Sequence, residues 1–437
     1  MIGLTTGSGP VSFAGNTSTL ETNPNSWSKL GHVLYIDQPV GTGFSTASNP
    51  YPVHDIHRVT SDFHKWLQSF FAQFPHLQSK RVHLLGESYA GFYIPYFASA
   101  IMENQDSFPL HLQSLSIGDG TIGEPAAMSS LTIGTFLQSQ GPKLHIPEDV
   151  LAAFSEADET CGFDTIVQHA NTTFPLPLTH PLQIPGNPDD LESEEGGGGG
   201  GGTGDIDGSC TTHPHTADAV LSAIVNSTCG GSCATFATAV DYLQTASAAG
   251  TGHECFDMYD VTNDCNAVSP FAPVMEYFSR ADVQTALNVA PPPPPAESTP
   301  FKPCNELVLT TLSSSGPLPF PPTHSILPSM VTTHNLSLHV YSGENDLLLN
   351  HFGTELVLQN MTWGGARGFA QKPSRVFYVD DAAPSSTDSH EESASTAGVW
   401  GSERGVSYHL FHGAGHSVFA KKPREMFSFV RDVVVGK

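Results

Sequence analysis

The regular pattern begins with a short apolar run, Val33 to Ile36 in "GHVLYIDQPVGTGFS". It ends in a Gly- and Pro-rich loop and predicts a buried strand. In "DIHRVTSDFHKWLQSFFAQFP" the period changes. Ile56, Val59, Phe63, Trp66, Leu67, Phe70 and Phe71 fall on one face of a helix, and Pro75 follows its end. A strand at Val82–Leu85 comes next, then a turn at Ser88 and a helix from about Gly91 to Asn104. "LQSLSIGDGTIG" repeats strand and loop. Alternation of this kind predicts the α/β class, a mostly parallel sheet with helices on both faces.

After about Glu124 the pattern is interrupted. An acidic stretch, "DDLESEE", runs into the tract Gly196–Gly202, which reads as a surface loop because it has nothing to pack. Pro291–Pro295 reads as an extended surface segment. Sheet-like runs return in "LSLHVYSG", "SRVFYV" and "VSYHLFHGAGH". A closing helix starts at Pro423, with Met426, Phe427, Phe429, Val430 and Val433 as its apolar positions. The expected organisation is a core in two parts, residues 1–124 and 271–437, split by an insertion over residues 125–270.

Composition narrows the setting. A net charge of −26 argues against nucleic acid and anionic membrane surfaces as partners, and no run reaches the roughly 18 apolar residues of a membrane span. Charged residues are 14% of the chain, against roughly 25% in an average soluble protein, so Ser, Thr, Asn and Gln supply much of the polar surface. Cys161, Cys210, Cys229, Cys233, Cys255 and Cys265 crowd the insertion, with Cys304 downstream. Cys229-x-x-x-Cys233 has a zinc reading, but no C-x-x-C pair or His-x-x-x-His accompanies it, so disulfides are expected. Seven is odd, which leaves one thiol free or its partner elsewhere. Sequons stand at Asn16, Asn171, Asn226, Asn335 and Asn360. These features belong to a secreted or vacuolar protein, yet "MIGLTTGSGPVSFAGNTST" has no signal-peptide pattern, so the front of the protein is expected outside this chain.

The chemistry centres on Gly86-Glu87-Ser88-Tyr89-Ala90-Gly91, set between an apolar strand and a helix. Small residues around a serine let a strained turn present its hydroxyl at the sheet edge, whereas a plain reading makes Ser88 a helix cap. A nucleophilic serine needs a base, and the base needs an orienting acid. On this scaffold acid and base follow the serine in that order. Asp346 in "HVYSGENDLLLN" and His416 in "HLFHGAGHSV" fit, each just past a strand. Asp380, Asp381 and His412 are the competitors.

The chain resembles serine carboxypeptidases, especially the acidic fungal type. The matching stretches are "NPNSWSKLGHVLYIDQPVGTGFS", "GESYAGFYIP", "SIGDGTIG", "CFDMYDVTNDC", "YFSRADVQTALNV", "YSGENDLLLN", "NMTWGGARGF" and "GAGH", in family order. The resemblance implies an α/β-hydrolase fold with a cap inserted over the site, and no cofactor. It implies removal of C-terminal residues from peptides and proteins at acid pH, in the vacuole or outside the cell. Ser88, Asp346 and His416 fall on the family's triad, and the Tyr89 N–H falls on one oxyanion donor. Glu87 falls on a carboxyl group that binds the substrate's terminal carboxylate, a role that requires it to be protonated.

The family's Asn-Gly-Gly-Pro-Gly segment, which supplies the second oxyanion N–H, is absent from this chain. Gly7 stands where a second carboxylate-binding Glu is usual, and Ser417-Val418-Phe419 replaces the frequent Met-Val-Pro. Two further readings therefore stand beside a carboxypeptidase. One is an acyltransferase on the same scaffold; the other is an inactive product lacking half of its oxyanion hole.

Overall fold

The computed structural model describes residues 1–14, 17–48, 51, 53–185, 213–226, 233–248, 256–263, 271–289, 301–314, 321–379 and 395–436. The Gly196–Gly202 tract, Pro291–Pro295, Asp380 and Asp381 lie outside them.

Four parallel strands form the centre, in the spatial order Arg81–Glu87, His111–Gly118, Ser337–Gly343, Val406–Phe411. Leu115, Ile117, Leu338 and Val340 are fully buried, as strands covered on both faces require. Beyond Val406–Phe411 the sheet continues with Ser395–Glu403 and then Arg375–Val379, both pairing antiparallel. The sheet is thus mostly parallel, as expected, with two antiparallel strands at one edge. Ser395–Glu403 was not legible as a strand, because its Ala, Gly and Ser residues give no apolar alternation. A two-residue turn joins it to Val406, with Arg404 at φ 52° and Gly405 at φ 85°, the mirror-image turn that matches strand twist.

The strand expected at Val33–Ile36 does not form. The segment is unpaired, and Leu34 is 47% exposed. A strand needs a ladder, and the free edge of the sheet on this side, that of Arg81–Glu87, has no partner among the described residues.

The first long helix runs Ile56–Gln73, capped by Asp55, whose side chain accepts from the Arg58 N–H. Ile56, Val59, Phe63, Leu67 and Phe71 are buried as the period demands, but Trp66 stays 37% exposed, lying flat on Phe70. Phe63 stacks on Phe97 at 3.8 Å and so joins this helix to Ala90–Glu103, the helix that follows Ser88. At the other end of the chain, Phe429 packs edge-on to Tyr341 and Phe411, so the closing helix covers two of the central strands.

Helices Ile133–Leu144, Glu148–Cys161, Ala217–Val225 and Thr235–Ala248 share an apolar cluster of their own, including Phe136, Phe154, Val220 and Leu243. That cluster also takes in Leu347, from the far side of the chain. Cys161 and Cys233 form a disulfide across this layer, so Cys233 is not a metal ligand; Cys304 is a free thiol, and the other four cysteines lie outside the described residues.

Asn360 corrects the sequon reading. It is buried, its amide oxygen accepts from Leu182 N at 2.9 Å, and its amide nitrogen donates to Leu182 O. A glycan has no room on that side chain. Asn226 and Asn335 are exposed. No helix among the described residues is long and apolar enough to cross a membrane.

Candidate active site at the carboxyl ends of the parallel strands

The four central strands run in one direction, so their carboxyl ends share one edge of the sheet. The candidate residues follow directly: Ser88 after Glu87, Asp346 after Gly343, His416 after Phe411. Open α/β sheets place their chemistry at this edge because the loops there converge.

Ser88 adopts φ 62°, rare for a residue with a side chain and the mark of a sharp strand-to-helix turn. The turn is held from both sides. Ser88 N donates to Gly118 O at 2.9 Å, while Gly91 N and Thr121 N donate to Ser88 O. A Cβ on Gly86 would fall 2.6 Å from that of Ala90, so the small flanking residues are a steric requirement. Tyr89 begins the helix, and its N–H has no acceptor among the described residues. A donor in that position, at a helix start, suits an anionic oxygen.

His416 and Asp346 are joined. Nδ1 of the imidazole and Oδ2 of the carboxylate are 2.7 Å apart, and both side chains are buried. Asp346 Oδ1 accepts from Leu348 N and Leu349 N. Burial resists charge on the imidazole, but the Asp346 charge and hydrogen bond, with help from Glu87 and Asp257, raise it to about 9. Ser88 makes no hydrogen bond to His416. Their chain neighbours do touch, since Ser417 Oγ donates to Glu87 Oε1 at 2.8 Å. The backbone N–H of His412, the competing histidine, donates to Ala397 O.

Glu87 is half-buried as a residue, but its Oε2 is fully buried and has no partner among the described residues. Burial is the main force on its carboxyl, and the Asp346 charge adds to it. His416 and the Ser417 hydroxyl oppose them, and the balance lies at about 7. Gly7 sits so close to Phe419 that a Cβ would fall 2.1 Å from the Phe419 carbonyl oxygen, which excludes the family's second Glu at that position.

Further residues of the site escaped the sequence reading. Tyr259 sets its ring edge-on to His416 at 5.2 Å, and its carbonyl accepts His416 N at 2.7 Å. Met258 O accepts both Leu347 N and Leu348 N, so the segment Phe256–Asn263 clamps the loops of Asp346 and His416 together. Gly415 permits this clamp, because a Cβ there would fall 2.4 Å from Tyr259 O. Asp119, at the end of the second strand, lies fully buried against Asp346. The one available signal was its place in "SIGDGTIG", just past an apolar strand. Among the described residues no group of three His, Cys, Asp or Glu is arranged to hold a metal ion.

Comparison with known proteins gives this geometry a context. The sequence profile of the serine carboxypeptidase family matches residues 1–150 and 205–436. The chain is 43% identical over 438 residues to a carboxypeptidase Y homolog of Arthroderma benhamiae, covering 100% of this chain and 81% of that protein. It is 28% identical over 430 residues to the pheromone-processing carboxypeptidase kex1 of Aspergillus oryzae, covering 95% of this chain and 56% of that one, so it spans a little over half of that relative. The crystal structure of Kex1(Delta)p, a prohormone-processing carboxypeptidase from Saccharomyces cerevisiae, superposes with a TM-score of 0.67 at 22% identity. It covers 99% of this chain and 79% of that one, a likeness of fold.

Proposed function

Because the chain belongs to the serine carboxypeptidase family, we propose that Ser88, His416 and Asp346 form its catalytic triad and that it removes C-terminal residues from peptides through an acyl-enzyme. The buried 2.7 Å bond between Asp346 and His416, at the sheet edge where Ser88 sits on its strained turn, carries this reading. Asp346 holds the Nδ1 proton, which leaves Nε2 to take the proton of Ser88 Oγ as the hydroxyl attacks the scissile carbonyl. The developing oxyanion meets the Tyr89 N–H. Collapse of the tetrahedral adduct breaks the peptide bond, with His416 returning the proton to the departing amine. Water, activated by the same imidazole, then releases the acyl group.

Glu87 supplies the preference for a free C-terminus. Its proton, favoured below about pH 7, is donated to the substrate carboxylate. The same event acts on the base. Glu87's negative charge is one of those that hold a proton on His416, so neutralising Glu87 lowers the imidazole's affinity for that proton. Substrate binding and base activation are thereby coupled, and activity falls off above the range in which Glu87 is protonated.

The helical layer is read as the insertion, residues 125–270, over a core of residues 1–124 and 271–437. The Cys161–Cys233 bond supports an oxidising compartment, secreted or vacuolar. The test is fluorophosphonate labelling at pH 5 with Ser88→Ala as control, followed by digestion of one peptide as its free acid and as its C-terminal amide. Labelling confined to wild type and single-residue release from the free acid support the reading. Folded wild-type protein that is not labelled overturns it.

A further inference from the structure

The strand His111–Gly118 lies between the strands that lead to Ser88 and to Asp346, and Asp119 follows it directly. Asp119 is fully buried and adopts φ 40°, a left-handed conformation that a residue with a side chain keeps only where its surroundings enforce it. Its immediate neighbours hold the nucleophile's turn, since Gly118 O accepts Ser88 N and Thr121 N donates to Ser88 O. Asp119 itself holds the acid's loop. Its N–H donates to Tyr341 O at 2.9 Å, and its Oδ1 accepts from Gly343 N at 2.8 Å. Gly343 O in turn accepts the Asp346 N–H.

The second oxygen of Asp119, Oδ2, is buried without a donor among the described residues. The Asp346 carboxyl lies within hydrogen-bonding reach of Asp119, and its charge acts on Asp119 more strongly than any other. Two ionised carboxylates in contact, away from water, repel each other strongly, and a buried carboxylate oxygen left unpaired is costly. One proton removes both problems. It belongs on Asp119, because the oxygens of Asp346 are already occupied by three donors: His416 Nδ1, Leu348 N and Leu349 N.

We propose that Asp119 is a positioning residue for the triad, which keeps its proton through the working pH range and donates it in a hydrogen bond to the Asp346 carboxylate. This rests on the reading of Ser88, His416 and Asp346 as the triad. The titratable groups that face Asp119 are Asp346, Glu87 at the end of the nucleophile strand, Tyr341 on the acid strand and Tyr408 on the strand beyond it. Burial comes first in keeping Asp119 protonated well above the usual carboxylate range, and the charges of Asp346 and Glu87 act the same way against the single Gly343 N–H. A neutral donor at this point orients Asp346 without adding a second negative charge beside the imidazole, so His416 releases its proton at a lower pH than it would next to two anions.

Asp119→Ala and Asp119→Asn, measured for kcat, KM and the pH dependence of kcat/KM on one free-acid peptide, test this. Folded Asp119→Ala is expected to lose about 10- to 100-fold in kcat with KM within about threefold, as when an outer partner of a catalytic group is removed. Asparagine keeps a neutral donor. Asp119→Asn is therefore expected to recover most of that kcat, with the acid limb of kcat/KM within about 0.3 pH unit of wild type. An acid limb displaced downward by about one unit or more in Asp119→Asn would mean that Asp119 is an anion, and the proposal falls. It falls equally if folded Asp119→Ala keeps wild-type kcat. Where Asp119→Ala does not fold, the acid limb of Asp119→Asn decides alone. Fluorophosphonate labelling of wild-type Ser88 separates the two readings: no labelling overturns the triad, whereas labelling with an unaffected Asp119→Ala overturns only the role of Asp119.

Discussion

Ser417 Oγ donates a 2.8 Å hydrogen bond to Glu87 Oε1, so the residue after the proposed base is tied to the residue before the proposed nucleophile. The bond stabilises the ionised form of Glu87 and opposes the effect of burial on its carboxyl. Ser417→Ala removes that opposition. The alkaline decline in kcat/KM on free-acid peptides is expected to move up by about one pH unit, the scale of one hydrogen bond to a charged group. Rate profiles of the two proteins across pH 4 to 9 check this, and a downward shift contradicts the role given to Glu87.

Glu87→Gln keeps a donor for the substrate carboxylate but has no charge to gain. The decline near pH 7 should therefore disappear for free-acid peptides. The acid limb should stay within about 0.3 pH unit of wild type, because Glu87 is already uncharged at that pH. A Glu87→Gln profile that keeps the decline near pH 7 excludes Glu87 as its source.

Asp346 is fully buried with its Oδ2 2.7 Å from Nδ1 of His416, and in the proposed triad it fixes which imidazole nitrogen carries the proton. Asp346→Asn leaves the volume unchanged and favours the wrong tautomer. The expected loss is about 10⁴-fold in kcat, with the circular dichroism spectrum retained. A loss of less than about tenfold in folded protein would remove Asp346 from the triad.

Acid should weaken the fold at two histidines remote from this chemistry. His409 is buried among Phe377, Trp400, Phe411 and Phe429, with neither ring nitrogen partnered, and burial lowers it to about 3. His339 is lowered to about 4, again by burial first. Each binds its proton more readily in the unfolded chain, so stability is full above about pH 6.5 and declines as the pH falls toward the folded-state values. At pH 5 each contributes a loss of about 2 kcal/mol relative to pH 8. His409→Phe should flatten the acid side of a plot of Tm against pH; an unchanged slope would show that His409 is protonated in the folded state.

The Cys161–Cys233 bond closes a 72-residue separation across the helical layer. Cys161→Ser should lower stability by about 4 kcal/mol on loop-entropy grounds. Because Leu347, next to Asp346, packs in the same apolar cluster, activity should fall at lower denaturant than bulk secondary structure. Coincident midpoints would show that layer and sheet unfold together.

Much of this was open to a reader of the chain alone. The helix at Ile56–Gln73 and the turn at Ser88 are local, set by a 3.6-residue period and by small residues around one serine. The places of Ser88, Asp346 and His416 were legible too, because each follows an apolar strand. What failed depended on partners distant in sequence. Val33–Ile36 has a strand's composition but no ladder, and Ser395–Glu403 has a ladder but not the composition. Asn360 carries a sequon whose side chain is spent on Leu182, 178 positions away.

By itself, the sequence determined the α/β alternation, the family and the three residues proposed for the chemistry, because strand, turn and helix signals act over a few residues. Only the tertiary structure decided what surrounds those residues. Asp119, Ser417 and Tyr259 act through bonds made at a shared sheet edge, where Glu87 and Ser417 meet across 330 positions of chain. Protonation follows from burial and from neighbouring charge, and neither exists until the chain has folded.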